Sequence, residues 1–334
     1  VLTKCWLRLG NQGLLLNNAD AYADDLIVSM MDEDLMIYRN NSDLTGRDLN
    51  LQPREFRSIN SNVKISQNWF TDLTINFTGG SLDINDSAID DSRIIASGTD
   101  VALRNSSDKY GNISITDSDS VFWDFYRMRY AVENPRMVNC TNVVMVDCMA
   151  KYTTERGVYL RDCEEVFIDN IFVVSTDSSG LSMNQCNNVS VTDSYVVDSD
   201  PGIYVYQCTN FSINETDLFG NGNYGIYMND VSGGEISSNQ INSSALYEIY
   251  MLESDNITIQ ANSFPYAPYS PMIIIQSKDI GVLNNTVDEV DDTQGSGIHL
   301  FQSRDCMVKG NVLDDSGWGI ELGETYDSVV EENK

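Results

Sequence analysis

Four cysteines stand in step. Cys140, Cys163, Cys186 and Cys208 lie 23, 23 and 22 residues apart, inside near-identical phrases such as GLSMNQCNNVSV (180–191) and GIYVYQCTNFSI (202–213). A phrase that recurs at a fixed step of 20 to 50 residues marks a chain that builds one structural unit repeatedly. Two positions beyond the cysteine slot the residues are Asn142, Glu165, Asn188, Asn210, Gly233, Asn256, Asp279, Asp305 and Asp327. Asn, Asp and Gly are the residues that tolerate a left-handed backbone. The column predicts a tight turn once per repeat.

After each turn comes an apolar pair with one residue between, as in Val166/Ile168, Val189/Val191, Phe211/Ile213, Ile257/Ile259 and Ile280/Val282. Alternation of this kind predicts a strand with one buried face. A second polar column follows, Asn239, Asn262, Asn285, Asn311 and Asn333, and then an apolar one that includes Val173, Val196, Leu218, Ile241 and Phe264. A variable loop leads to a third strand: GVYL, GLSM, GIYV, GIYM, EIYM, MIII, GIHL and GIEL. Three strands and three turns per repeat of about 23 residues predict an all-β solenoid whose rungs stack about 4.8 Å apart. Val231, Ser254, Ser277, Ser303 and Thr325 fill the cysteine slot in later repeats, so the slot asks for smallness rather than sulfur chemistry.

The grammar reaches back to NVKISQNWF (62–70) and GNISITDSDSV (111–121). The expected organisation is a cap or irregular region over residues 1–60 and a parallel β-helix over 61–334, regular from about residue 138. Within the cap, Tyr22, Leu26 and Met30 have helical spacing, while LIVSM and LMIYR read as strands; both remain open. The chain opens without Met and stops at SVVEENK within a rung, which reads as a trimmed product with an open strand edge.

The phrase Cys/Ser-x-Asn-Val-x-Ile-x-x-Asn resembles the right-handed parallel β-helix repeat of pectate-lyase-like and periplasmic copper-protein-like (NosD-type) proteins. The resemblance covers the last 200 residues or so well and the preceding 80 loosely. It implies the fold. It leaves the activity open, because such proteins include lyases, hydrolases, epimerases, tailspikes, adhesins and archaeal envelope components. The pectate-lyase arrangement of Ca²⁺ carboxylates beside a basic catalyst is not matched, since Arg156 and Arg161 lie on rungs away from the acidic loops. The Gly-His-Gly of pectin hydrolases is absent. No catalytic set is identified.

Composition narrows the partners. A net charge of -30 repels nucleic acid and anionic membranes. No run approaches the ~18 apolar residues of a membrane span. Asn-x-Ser/Thr sequons at Asn40, Asn76, Asn85, Asn105, Asn112, Asn139, Asn188, Asn210, Asn214, Asn242, Asn256 and Asn284 are glycosylation candidates in an extracellular or cell-surface chain. Seven cysteines, an odd number, make Cys5 the candidate for an intersubunit disulfide. Disulfides between rungs are the alternative to simple core filling by the cysteine stack.

Two surface features are candidate sites. Alternation points one third-strand column outward: Tyr159, Ser182, Tyr204, Tyr227, Tyr250, Ile274, His299 and Glu321. Its tyrosines form a stripe suited to glycan binding or protein docking, and His299 is expected to be an ordinary exposed residue. The loop carboxylates Asp288, Glu289, Asp291 and Asp292 are candidate Ca²⁺ ligands; no other cofactor is expected. The repeat, the acidity and the odd cysteine lead first to a self-assembling structural protein of a cell envelope, such as an S-layer or sheath, stacking through rung edges. A carbohydrate-active or glycan-binding β-helix module, and a viral fibre or adhesin, are the alternatives.

Overall fold

Alternation decides the strands. In Thr74–Asn85, Ile75, Phe77, Leu82 and Ile84 are buried and the residues between them face outward. Strands of one rung pair in parallel with the same strands of the next, with like residues opposite one another. The structure, a computed structural model, describes residues 55–131, 134–290 and 295–334, together with strand segments of the backbone between Leu2 and Leu51. Every regular element among the described residues is a β-strand. The chain is a right-handed parallel β-helix, the hand that parallel crossover connections adopt. It comprises two compact units, Val1–Thr154 and Glu155–Lys334.

Within the first unit, Ala21–Asp24 and Ile27–Met30 are both strands, which decides for strand over helix in that stretch. Leu2–Thr3 pairs with Ala21–Asp24, and Met36–Asn40 pairs with Glu55–Ser66, all in parallel. The strands after residue 55 already pair rung for rung. Phe56 pairs with Ile75, Ile75 with Ile94 and Ile94 with Ile113, a step of 19 residues. Their loops are shorter, so a search in steps of 23 passes over them.

In the second unit the expected step holds: Tyr204 pairs with Tyr227 and Tyr227 with Tyr250, 23 residues each time. It widens to 26 where Met272 pairs with Ile298. Every residue of the predicted turn column has a left-handed backbone, from Asn142 (φ 48°) through Gly233 (φ 69°) to Asp327 (φ 49°).

The second polar column faces inward. Asn239, Asn262, Asn285 and Asn311 are buried, and the Oδ1 atoms of Asn262, Asn285 and Asn311 each accept the backbone N–H of the asparagine one rung earlier at 2.9–3.0 Å. Each Nδ2 donates to a backbone carbonyl of the rung before, as Asn262 does to Ile236 at 2.9 Å. Stacking like on like satisfies a polar column that would otherwise be costly to bury. The cysteine slot works in the same way. The Cys186 N–H approaches Cys208 Sγ at 3.4 Å, and three rungs further on Ser254 N–H donates to Ser277 Oγ at 3.2 Å. The slot thus takes a small side chain; where that side chain carries sulfur or a hydroxyl, it also accepts the N–H of the rung before, and Val231 fills the slot without doing so.

A glycine opens most third strands of the second unit because the next rung passes too close for a side chain. A Cβ on Gly180 would lie 2.7 Å from Gly202 O and 2.5 Å from Val196 Cγ1. The exceptions are Pro271 and Glu248, the latter described below.

Candidate functional site

The outward column of the second unit is in register throughout: Tyr159, Ser182, Tyr204, Tyr227, Tyr250, Ile273, His299 and Glu321 lie opposite one another in successive rungs. The isoleucine is Ile273, not Ile274. The run of apolar residues MIII hides its phase in sequence, and Ile274 points into the core with 0% exposure.

Three of the four expected stripe tyrosines come together. The Tyr204, Tyr227 and Tyr250 rings stack at 5.3 Å with interplanar angles of 15°. Tyr159 stands apart, with Ser182 between it and Tyr204, and the Arg156 guanidinium lies 4.9 Å from its ring centroid. The stripe is wider than the column suggested. Tyr224 packs edge-on against Tyr227 at 5.2 Å, Tyr247 stacks on Tyr250 at 5.7 Å, and Tyr269 packs edge-on against Tyr247 at 5.8 Å. Tyr206 borders Tyr204 at 6.4 Å. The signal was present in NYGIYM and LYEIYM, where a tyrosine stands three residues before the stripe. Burial, followed by neighbouring phenols, raises the pKa of Tyr204, Tyr224 and Tyr250 above the ordinary value, so these faces are neutral hydroxyl-bearing rings.

At one end the aromatic face dips into an open concavity of about 470 Å³. Tyr247, Tyr250, Tyr269, Ile273 and Phe301 form its apolar wall; Ser270, Ser296, His299 and Glu321 supply its polar groups. His299 is half-buried here rather than freely exposed, edge-on to Phe301 at 6.2 Å and 4.0 Å from Glu321 Oε2. Ser296 Oγ donates to Glu321 Oε2 at 2.7 Å, which orients the carboxylate. Among the described residues no Lys or Arg lines this concavity. An apolar wall with a few convergent polar groups is the usual form of a ligand site.

Beneath the face, Glu248 takes the glycine position of its rung and is fully buried. Ser244 meets both of its oxygens, through its N–H at 3.0 Å and its Oγ at 2.5 Å. Burial pushes the Glu248 carboxyl up to about 7, against the pull of those hydrogen bonds.

The remaining candidates are dispersed. Asp288 and Glu289 are exposed, while Asp291 and Asp292 lie outside the described residues. Among the described residues no group of three His, Cys, Asp or Glu side chains is placed to hold a metal ion. Cys140, Cys163, Cys186 and Cys208 are buried, as are Cys148 and Cys306, and no disulfide joins them among the described residues; Cys5 lies outside the described residues. Burial pushes the Cys148 thiol up to about 12. Of the sequon asparagines, Asn105, Asn139, Asn188, Asn210, Asn256 and Asn284 are exposed. Asn76, Asn85, Asn112, Asn214 and Asn242 are half-buried, and the side chain of Asn40 lies outside the described residues. Several of these amides serve rung-to-rung contacts, as Asn188 does in donating to Glu165 at 2.9 Å. No helix among the described residues is long and apolar enough to cross a membrane.

Fold and site together define a β-helix protein with a stacked aromatic face. Residues 179–334 match the family described as right handed beta helix region. Among solved structures, tailspike protein 3 of bacteriophage CBA120 has a similar fold, with a TM-score of 0.55 and 9% identity. The match covers 100% of this chain and 57% of the tailspike, so the chain spans little more than half of that protein's length. The periplasmic alginate epimerase AlgG aligns at a TM-score of 0.48 and 10% identity over 89% of this chain and 77% of its own. The siphovirus 9NA tailspike receptor binding domain aligns at 0.44 and 9%, over 98% and 73%. At such identities the likeness is one of fold. No curated protein sequence matches the chain.

Proposed function

We propose that this chain is a carbohydrate-binding β-helix module that works outside the cell and takes a neutral glycan along the tyrosine face of its second unit. The observation that carries this reading is the continuity of Tyr204, Tyr227 and Tyr250 with the concavity holding His299 and Glu321. Stacked phenol rings build an apolar ridge at rung spacing, and their hydroxyls and the Glu321 carboxylate offer polar edges. A pyranose ring has the same division, with C–H faces and hydroxyl edges. The absence of Lys and Arg from the lining favours an uncharged sugar over an acidic one.

The test is calorimetric titration of the full chain with neutral gluco-, xylo- and manno-oligosaccharides. Tyr227→Ala and Tyr250→Ala should each weaken binding at least about tenfold, or ~1.4 kcal/mol. If the intact chain binds no neutral oligosaccharide, the reading is wrong. Self-assembly into an envelope array makes a different prediction: sedimentation would then show polymers whose yield rises with salt or divalent cations, because the charge of -30 on each subunit must be screened.

A further inference from the structure

Between Arg161 and Lys278 the chain carries no Lys, Arg or His. Within that stretch the short strands Phe172–Val174, Tyr195–Val197 and Asp217–Phe219 lie side by side, with Phe172 opposite Tyr195 and Val197 opposite Phe219. Val173, Val196 and Leu218 are their buried face. The outward face is apolar too. Phe172, Val174, Tyr195 and Val197 are half-buried and Phe219 is 47% exposed. The Phe172 and Tyr195 rings stack at 5.0 Å with an interplanar angle of 5°, so they stand as a ridge. The next rung ends the patch, with Gln240 opposite Asp217 and Asn242 opposite Phe219. Exposed carboxylates frame it: Asp217 on the sheet itself, and Asp193 and Glu215 at the left-handed turns that lead into the strands.

An apolar patch with a charged rim has the anatomy of a protein contact. Because the rungs around it hold no cation, the partner must bring the cations. The first unit of this same chain has such a surface. Lys109–Tyr110, Arg129–Tyr130 and Lys151–Tyr152 recur on three adjacent rungs. The cations end the short strands Ser107–Lys109, Arg127–Arg129 and Met149–Lys151, with Lys109 opposite Arg129 and Arg129 opposite Lys151. Arg127 adds a fourth cation, and Asp90, opposite Lys109, is a carboxylate beside the strip. The three tyrosine rings pack on one another at 5.5 and 5.2 Å between centroids, which leaves their edges to the outside.

We propose that two copies of this chain associate through these surfaces, the cationic strip on the first unit of one copy docking on the acid-framed patch on the second unit of another. Lys109, Arg129 and Lys151 pair with the rim carboxylates, and the tyrosine edges pack against Phe172, Val197 and Phe219. Each surface is three short strands wide at a rung spacing of about 4.8 Å, so successive cations meet successive carboxylates. The charge of -30 on each copy opposes association only weakly at long range, because salt screens charges more than about 10 Å apart. The contact is side to side. It is independent of the glycan reading and of stacking through rung edges.

Sedimentation velocity of the full chain over a wide range of concentrations tests this. The wild type should pass from monomer to dimer or larger species as concentration rises. K109E/R129E/K151E and D193K/E215K/D217K should each weaken association at least about tenfold. Mixed in equal amounts the two variants should associate again, because an acidic strip then meets a basic patch, and recovery also shows that both are folded. Net charge alone makes the opposite prediction for D193K/E215K/D217K, which is less negative than the wild type and would associate more strongly. F219S leaves the charge unchanged and should weaken association through the apolar patch. A wild type that stays monomeric, even one that binds polylysine, would overturn the proposal. So would D193K/E215K/D217K or F219S associating as strongly as the wild type, or a mixture that fails to recover while both variants melt as the wild type does. None of these residues belongs to the tyrosine face of the second unit, so neutral-glycan binding there stands or fails separately.

Discussion

The two units solve the same problem, a polar group inside a stacked coil, in opposite ways. In the second unit asparagines stack on asparagines, and the Oδ1 of Asn262, Asn285 and Asn311 each serves the rung before it. In the first unit Asp108 points into the core among apolar rungs, with Ile89 on one side and Met128 on the other. No hydrogen bond of good geometry reaches its oxygens among the described residues, though the Gly111 N–H and the Tyr126 hydroxyl stand near enough to pull its pKa down; Trp123 Nε1, Tyr126 Oη and Thr153 Oγ1 likewise lack such a bond. Burial pushes the Asp108 carboxyl up to about 8. Glu248 is buried to the same degree, yet Ser244 holds both of its oxygens and its pKa is raised less. Depth alone does not decide the state of a carboxyl in a β-helix; the partners available at its rung do.

The largest effect should come from Asp108→Asn. The folded pKa is about 8 against an ordinary 3.8. The protonated carboxyl is therefore favoured in the fold, and its contribution is complete below about pH 4 and lost as pH rises through about 8. The wild type should lose several kcal/mol across that window, on the order of 1.4 kcal/mol for each pH unit. Asn, which cannot ionise, should flatten the loss. Urea midpoints at pH 5 and pH 9 check this, and an equal fall in wild type and variant would remove Asp108 as the cause.

Breaking the satisfied ladder should cost somewhat less. Asn262→Ala removes the bonds to Ile236 O and Asn285 Oδ1 and leaves the Asn239 N–H without its acceptor, a loss of about 2–3 kcal/mol. Chemical denaturation measures it, and a cost under about 0.5 kcal/mol would mean that water replaces the amide.

Glu248→Gln is the companion to the Asp108 test. The raised pKa places its pH-dependent loss between about 4.5 and about 7. The loss should be smaller than for Asp108, and its absence would show that the Ser244 bonds cancel the burial cost. The smallest effect is expected for Cys186→Ser, within about 1 kcal/mol, because Ser254, Ser277 and Ser303 already fill the same slot. A larger loss would mean that sulfur has a role the hydroxyl cannot supply.

Much of this was legible in the sequence where the repeat step was constant. The left-handed turn column, the strand pairs and the tyrosine stripe all follow from a 23-residue step and period-two alternation. The KY, RY and KY dipeptides were legible too, but they recur at 20 and 22 residues, out of step with the cysteines. Tyr224, Tyr247 and Tyr269 lie off the column that alternation tracks; NYGIYM and LYEIYM place two of them near the stripe, and the ring contacts show that they pack into it.

The residue pattern by itself determined that this chain coils into parallel rungs, because small, left-handed-tolerant and apolar residues recur where a coil needs them. Only the tertiary structure decided which polar columns are satisfied inside, that Ile273 rather than Ile274 joins the outer face, and that His299 and Glu321 close a concavity around tyrosines. The reason is physical. Backbone conformation and alternation are local and can be read along the chain, whereas hydrogen bonding and ring stacking between rungs depend on a register set by turns of 19 to 26 residues each.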